Sequence, residues 1–266
     1  MQKTAILSLR QEIDRLSSQT PKPNSPADRE IISYPNKKLI QEAFLRGILL
    51  VTIAKQNFTE LESLVVQKLY PIAPYICARS LLESAAVATW LLCDEINSKD
   101  RINRYFSYCY TNLIEQRKYF HYIGNTQKEN KARIKISDLE VKAINAGSDV
   151  KKDKKNEIKY IGCPFPNKTS LIENQFKVPD RYRVLSGIAH GTQSFIWAHC
   201  FKKIRDPNGG EIGYFAVNLD DQKILLKGGI KFLEKVVLLH HKQFGCNLDA
   251  TTKCFKEAVD RLNKNY

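Results

Sequence analysis

Apolar positions in this chain recur mainly at helical spacing. Leu9, Ile13 and Leu16, with Ile6 before them, follow a three-four-three pattern that predicts a short amphipathic helix over residues 2–17. The Pro- and Ser-rich stretch SSQTPKPNSPADRE follows and reads as a linker. A long helix is predicted over residues 37–57. A second is expected from Thr59, with Glu62 completing a capping box, to about residue 69, before Pro71 and Pro74. Residues 75–94 are apolar almost all round, which predicts a central helix. Asn97 or Ser98 caps the next, which carries Arg101, Arg104, Tyr105, Tyr108, Leu113 and Tyr119.

The pattern then weakens. Between Lys128 and Lys159 stand ten Lys/Arg and six Asp/Glu with few large apolar residues. One short helix over residues 137–145 is expected there, followed by a solvated loop at SDVKKDKKNE. Cys163-Pro-Phe-Pro predicts an extended turn, residues 170–175 a short helix, and Pro179-Asp180 the start of a helix reaching about residue 203. Asn208-Gly209-Gly210 marks a turn, GYFAVNL a strand or half of a hairpin, and residues 223–244 and 249–263 the last two helices. The expected fold is therefore an all-α multi-helix bundle with a short N-terminal helix and one small β element near residues 211–219. Residues 1–35 form an N-terminal helix and linker. Residues 36–266 form the helical domain, with a basic flexible insertion at about 124–168.

Composition narrows the setting. Of 266 residues, 43% are hydrophobic and 26% charged, as in ordinary globular chains. Lys plus Arg number 42 against 28 Asp plus Glu, a net charge of +14, which favours polyanionic partners. No apolar run approaches the roughly 20 residues of a membrane span, and the N-terminus lacks the features of a signal peptide. A cytoplasmic protein without membrane contact is expected. The seven cysteines are odd in number and include no CxxC pair, so neither a disulfide framework nor a zinc site is expected.

The most informative segment is RYRVLSGIAHG, beginning at Arg181. At about 100° per residue, Arg183 and His190 fall within about 20° of one azimuth. Ser186 lies between them, three residues from one and four from the other, with Tyr182 on the shoulder. A guanidinium can bind a scissile phosphate and offset charge in the transition state. An imidazole can move a proton to or from a ribose 2′-hydroxyl or a leaving oxygen. Ser186 can orient either. No metal or cofactor is required. Gly187 and Gly191 suggest close helix approach or a nearby ligand.

Arg79 and Glu83 sit one turn apart in the very apolar helix. They form an internal ion pair, or they complete the polar site with Glu83 orienting His190 or Arg183. Arg104 and Tyr108 are candidates for an opposite wall. His121, His199 and the adjacent His240 and His241 lack metal-ligand spacing. No phosphate-binding loop or GxSxG elbow occurs.

With RSLLE at Arg79–Glu83 and YRVLSGIAHG at Tyr182–Gly191, the chain resembles the HEPN superfamily over about residues 40–245, and within it the group labelled DUF5677, near abortive-infection proteins. That resemblance implies a helical bundle that dimerises so that two Arg/His faces form one cleft. It also implies a metal-independent endoribonuclease acting as a defence effector or toxin, with RNA as partner and an antitoxin or second defence protein nearby. Arg183 and His190 match the family motif. The alternative is a non-catalytic nucleic-acid-binding or adaptor protein of such a system, and a third reading has the N-terminal helix recruit a partner enzyme.

Overall fold

A computed structural model describes residues 7–205 and 211–265. It is an all-α multi-helix bundle with two small antiparallel hairpins. Ile6 and the Asn208-Gly209-Gly210 turn lie outside the described residues.

Helix α1 (Leu7–Leu16) turns Leu9 and Ile13 fully inward, against α11 (Leu248–Asn265) and α3 (Lys37–Gln67). The expected linker contains a helix of its own, α2 (Pro26–Ser33). Ser25 accepts a hydrogen bond from the Asp28 amide (3.2 Å), and Pro26 occupies the first turn, where its missing N–H costs nothing. The two helices expected over residues 37–69 are one, α3. Thr59 does not cap a new helix; its hydroxyl donates to the Lys55 carbonyl one turn back (3.0 Å).

Helix α4 (Ala73–Leu92) is central, buried at nearly every position from Leu81 to its end. It packs on α3 at close range, since a Cβ on Gly47 would stand 2.5 Å from Leu92 Cδ2. Helix α10 (Leu219–Phe244) closes the layer. Asn97 caps α5 (Ser98–Tyr122), and its arginines Arg101 and Arg104 reach back to the end of α4. Arg101, 1% exposed, donates to the carbonyls of Leu91 (2.7 Å) and Cys93 (3.0 Å) and to Glu30 (2.9 Å). These carbonyls end the helix and have no partner within it, so a cation there satisfies both hydrogen bonding and the helix dipole.

The basic region expected to be a flexible insertion holds a 20-residue helix, α6 (Thr126–Asn145), and a hairpin. Ala132, Ile136, Leu139 and Ala143 make a narrow buried stripe, and Asn125 caps the first turn. The loop expected at SDVKKDKKNE contributes β1 (Val150–Lys152), paired with β2 (Ile158–Ile161). Asp153 Oδ1 closes the turn by accepting the Lys155 and Glu157 amides.

Helix α7 (Lys168–Phe176) leads into α8 (Pro179–Ala189). The long helix expected to run to residue 203 stops at His190. Gly191 adopts φ +73°, its amide donates to Ile188 O (3.1 Å), and the Thr192 amide donates to Gly187 O (2.8 Å). This pair of bonds with a left-handed glycine between them is a Schellman stop. Helix α9 (Gln193–Cys200) then turns back, with the Phe195 ring where a Gly187 Cβ would lie. The chain continues as β3 (Phe201–Arg205), paired with β4 (Glu211–Phe215). The β element expected near residues 211–219 is therefore one half of a hairpin, and its partner strand begins within the residues expected to be helical. No described helix is long and apolar enough to cross a membrane.

Candidate functional site

The Schellman stop makes His190 the C-cap of α8 and leaves it exposed beside the N-terminal half of α4. There His190 Nε2 lies 3.1 Å from Arg79 Nη1. A guanidinium can only donate, so Nε2 accepts and the proton of the neutral ring belongs on Nδ1. Arg79 is itself held by Glu83, one turn along α4, with Nε 2.8 Å from Oε1. The Tyr182 hydroxyl donates to the same oxygen at 3.1 Å, and Lys168, from the first turn of α7, donates to Oε2.

Glu83 is thus saturated by donors from three helices. Burial alone would raise its carboxyl, but the Lys168 ammonium and the Arg79 guanidinium together outweigh this and hold it below the ordinary carboxylate range. Burial likewise works against the Arg79 charge, and Glu83 more than restores it. Burial, reinforced by Glu83, pushes the Tyr182 phenol up. Glu83 is therefore a fixed anchor, not a base awaiting a proton. The groups presented outward are an imidazole, a guanidinium held in place and a half-exposed ammonium.

Arg79 and Glu83 pair internally and each reaches α8 or its C-cap, Arg79 at His190 and Glu83 at Tyr182; among the described residues Glu83 itself makes no hydrogen bond to His190 or Arg183. The structure joins Arg79, Glu83, Tyr182 and His190, and adds Lys168, which sequence reasoning passed over. Arg183 is exposed and makes no hydrogen bond or ion pair among the described residues. Ser186, half-buried, contributes its carbonyl to the His190 amide (3.0 Å), and no hydrogen bond joins its hydroxyl to His190.

Arg104 is elsewhere. Its Nη1 donates to Trp90 O at 2.7 Å and its guanidinium lies 5.3 Å from the Trp90 ring centre. Trp90 is eleven residues beyond Arg79, roughly 16 Å along the helix. The pull of unsatisfied carbonyls at the end of α4 explains that placement, as it does for Arg101. Tyr108 packs near Phe165, with ring centres 6.4 Å apart.

A second polar cluster escaped sequence reading. His199 Nδ1 lies 2.8 Å from Asp221 Oδ2, and the Tyr75 hydroxyl donates to the same oxygen at 3.0 Å. Burial, with Asp221 beside it, raises the Tyr75 phenol, so it stays a donor at neutral pH. These residues come from α9, α10 and α4, and no local spacing links them.

His121 pairs with Glu129 (3.1 Å). His240 and His241 are internal props: His240 Nε2 meets Ser18 O (3.1 Å), while His241 sits between the hydroxyls of Ser17 (2.8 Å) and Thr251 (2.7 Å). Among the described residues no three His, Cys, Asp or Glu converge as metal ligands, and the seven cysteines are unpaired. No known protein family, curated protein or solved structure matches this chain.

Proposed function

We propose that the His190 face is the site of a metal-independent endoribonuclease of the HEPN kind, acting as a defence effector or toxin. The observation that carries the reading is the Arg79–His190 contact, an exposed imidazole held against a guanidinium that is fixed from behind by Glu83. In this scheme the Arg79 guanidinium turns from His190 Nε2 to the phosphate, and the freed Nε2 takes the proton of a ribose 2′-hydroxyl. The 2′-oxygen attacks the adjacent phosphorus, the bond to the 5′-oxygen breaks, and that oxygen leaves with a proton. The products are a 2′,3′-cyclic phosphate and a 5′-hydroxyl. Arg79 and Lys168 offset charge on the non-bridging oxygens, and Arg183, with no internal partner, contacts the phosphate chain. In a dimer the second copy's His190 supplies the acid for the leaving oxygen.

The test is incubation of purified wild type and His190→Ala with total RNA and a labelled single strand in EDTA, with product ends mapped. Wild type is expected to leave cyclic phosphate ends, and the variant to be slower by roughly 10²–10⁴-fold. Undiminished cleavage by His190→Ala would remove the site assignment. One observation favours an adaptor or binding protein instead: the Arg79 charge is already answered by Glu83. That reading predicts salt-sensitive RNA binding with no product.

A further inference from the structure

Helix α8 has a second face, turned towards α4 and α10. Between these helices lies a hollow of about 290 Å³ whose walls are almost wholly apolar, with Val184, Leu185, Ile224, Leu225 and Phe232 among them. For scale, an apolar cavity of about 150 Å³ holds benzene. We propose that this hollow is a binding site for a small organic anion, a carboxylate on an apolar body of one or two rings.

The first argument is Gly228. A glycine in the middle of a helix costs about 1 kcal/mol relative to alanine, so each of the adjacent glycines of α10 needs a reason. Gly229 has one in packing, since a Cβ there would press to 3.1–3.2 Å from Leu61, Leu81 and Phe58. Gly228 has no such reason. A Cβ there would meet nothing nearer than 3.6 Å, and the atoms it would meet are Arg181 Nη1 and the Phe232 ring. Both neighbours line the hollow, so Gly228 leaves that wall open without serving helix contact.

The second argument is charge. Of the two acids lining the hollow, Asp221 is occupied by Tyr75 and His199, and Asp180 lies in the first turn of α8, beside unpaired backbone amides. Arg181 has no hydrogen-bond or ion-pair partner among the described residues. The adjoining hollow shares Asp180, Arg181 and Phe232 and adds Lys177 and Lys231. An apolar chamber with a cationic mouth suits a molecule whose body is apolar and whose head is a carboxylate that a guanidinium can grip with two parallel bonds.

The inference does not rest on RNA cleavage, and its test reads binding alone. Titration calorimetry with 2-naphthoate is compared across wild type, Gly228→Leu, Gly228→Ala and Arg181→Ala, and with the neutral 2-naphthylmethanol on wild type. The expected result is saturable binding of one 2-naphthoate per chain. Gly228→Leu, which fills the chamber, should weaken it at least tenfold, and Gly228→Ala several-fold with Tm unchanged or raised. Loss of the charged contact should cost roughly tenfold, both in Arg181→Ala and with the alcohol. Absence of saturable binding to wild type overturns the proposal. So does binding indifferent to both Gly228 substitutions, and if Gly228→Leu does not fold, Gly228→Ala decides. Equal affinity for alcohol and acid, with Arg181→Ala unaffected, overturns the anion assignment.

Discussion

Arg101→Ala is expected to be among the most damaging single changes in this protein. The guanidinium is 1% exposed, makes three hydrogen bonds within 3.0 Å, and lies 4.5 Å from the centre of the Phe44 ring. Hydrogen bonds to a charged group are worth about 1.5–3 kcal/mol each. Simple addition would overshoot, because the three share one donor group and water re-enters part of the space. Breaking a buried ion pair by removing one partner typically costs about 3–5 kcal/mol. Here Glu30 retains some access to solvent, with 15% of its side chain exposed. The expected loss is therefore about 4 kcal/mol, against a total stability of roughly 5–15 kcal/mol for a typical domain. Arg101→Lys keeps the charge but cannot reach both carbonyls and Glu30 together, and should lose about 2 kcal/mol. Urea unfolding followed by far-ultraviolet circular dichroism gives both values, and a cycle with Glu30→Gln isolates the pair. A loss below about 1 kcal/mol for Arg101→Ala, or a lysine variant as stable as wild type, would refute the view that this side chain closes the end of α4.

Three further expectations follow from particular contacts. His240 and His241 are both pushed down to about 4, chiefly by burial, and then by His241 and Lys55 for the first and by Lys55 and Lys22 for the second. The unfolded chain takes up these protons near pH 6.5, so stability is complete above that pH and falls towards pH 4, by up to about 3 kcal/mol per histidine. Glu62, raised to about 7 by burial, acts in the opposite sense, favouring the fold below pH 4.5 and losing that contribution as pH rises to 7. Glu234, also raised by burial, acts in the same sense as Glu62, so urea midpoints across pH 4–8 in a Glu62→Gln, Glu234→Gln background expose the histidine contribution, and a flat profile there would contradict the assignment. Gly187→Ala should cost about 1–3 kcal/mol, because its Cβ would stand 2.2 Å from Phe195 Cδ2, and Phe195→Leu in the same chain should restore part of it. Lys168→Ala should move the Glu83 titration upward, since Lys168 is the first of the two cations holding it down; an unchanged Glu83 curve by carbon-detected NMR would rule this out.

The helices were legible where burial imposes an apolar stripe. The closely spaced apolar residues of α3 and the nearly continuous run of α4 leave little choice of element. Two local signals were present but outweighed. Ser25-Pro26 with Asp28 is a helix start, hidden in a stretch that looked like a linker because of its prolines. Gly191 is a helix stop, hidden because the flanking residues keep a helical apolar period. Helix α6 was shortened because its stripe consists of Ala132, Ile136, Leu139 and Ala143, two of them too small to stand out against the surrounding lysines. The candidate site divides the same way. Arg183, Ser186 and His190 were visible as one stripe with Tyr182 on its shoulder, but the contacts that Tyr182 and His190 make cross to α4. Arg79 and His190 are 111 residues apart in sequence, and Tyr75 and Asp221 are 146 apart. Such pairings are settled by how helices pack, and no local period encodes them.

Arg79 and Arg101 make the most useful contrast in the molecule. Both are arginines on helices that pack in the interior, and on sequence alone each could be structural. Arg101 gives its donors to two carbonyls that would otherwise be unsatisfied and to one acid, so the helix end itself explains its presence. Arg79 answers no backbone need. It pairs with Glu83, and that pair draws in Tyr182, Lys168 and His190 from two other helices. Well-packed apolar residues in place of a buried ion pair are often as stable or more so, so stability gives little reason to gather five polar groups around this turn of α4. What the arrangement does accomplish is to fix a guanidinium against an imidazole at an exposed helix end. A stability measurement can separate the two cases. Replacing both Arg79 and Glu83 by Met and Leu should leave the fold nearly unchanged or firmer, whereas replacing Arg101 and Glu30 in the same manner should weaken it, because the carbonyls of Leu91 and Cys93 would lose their donor.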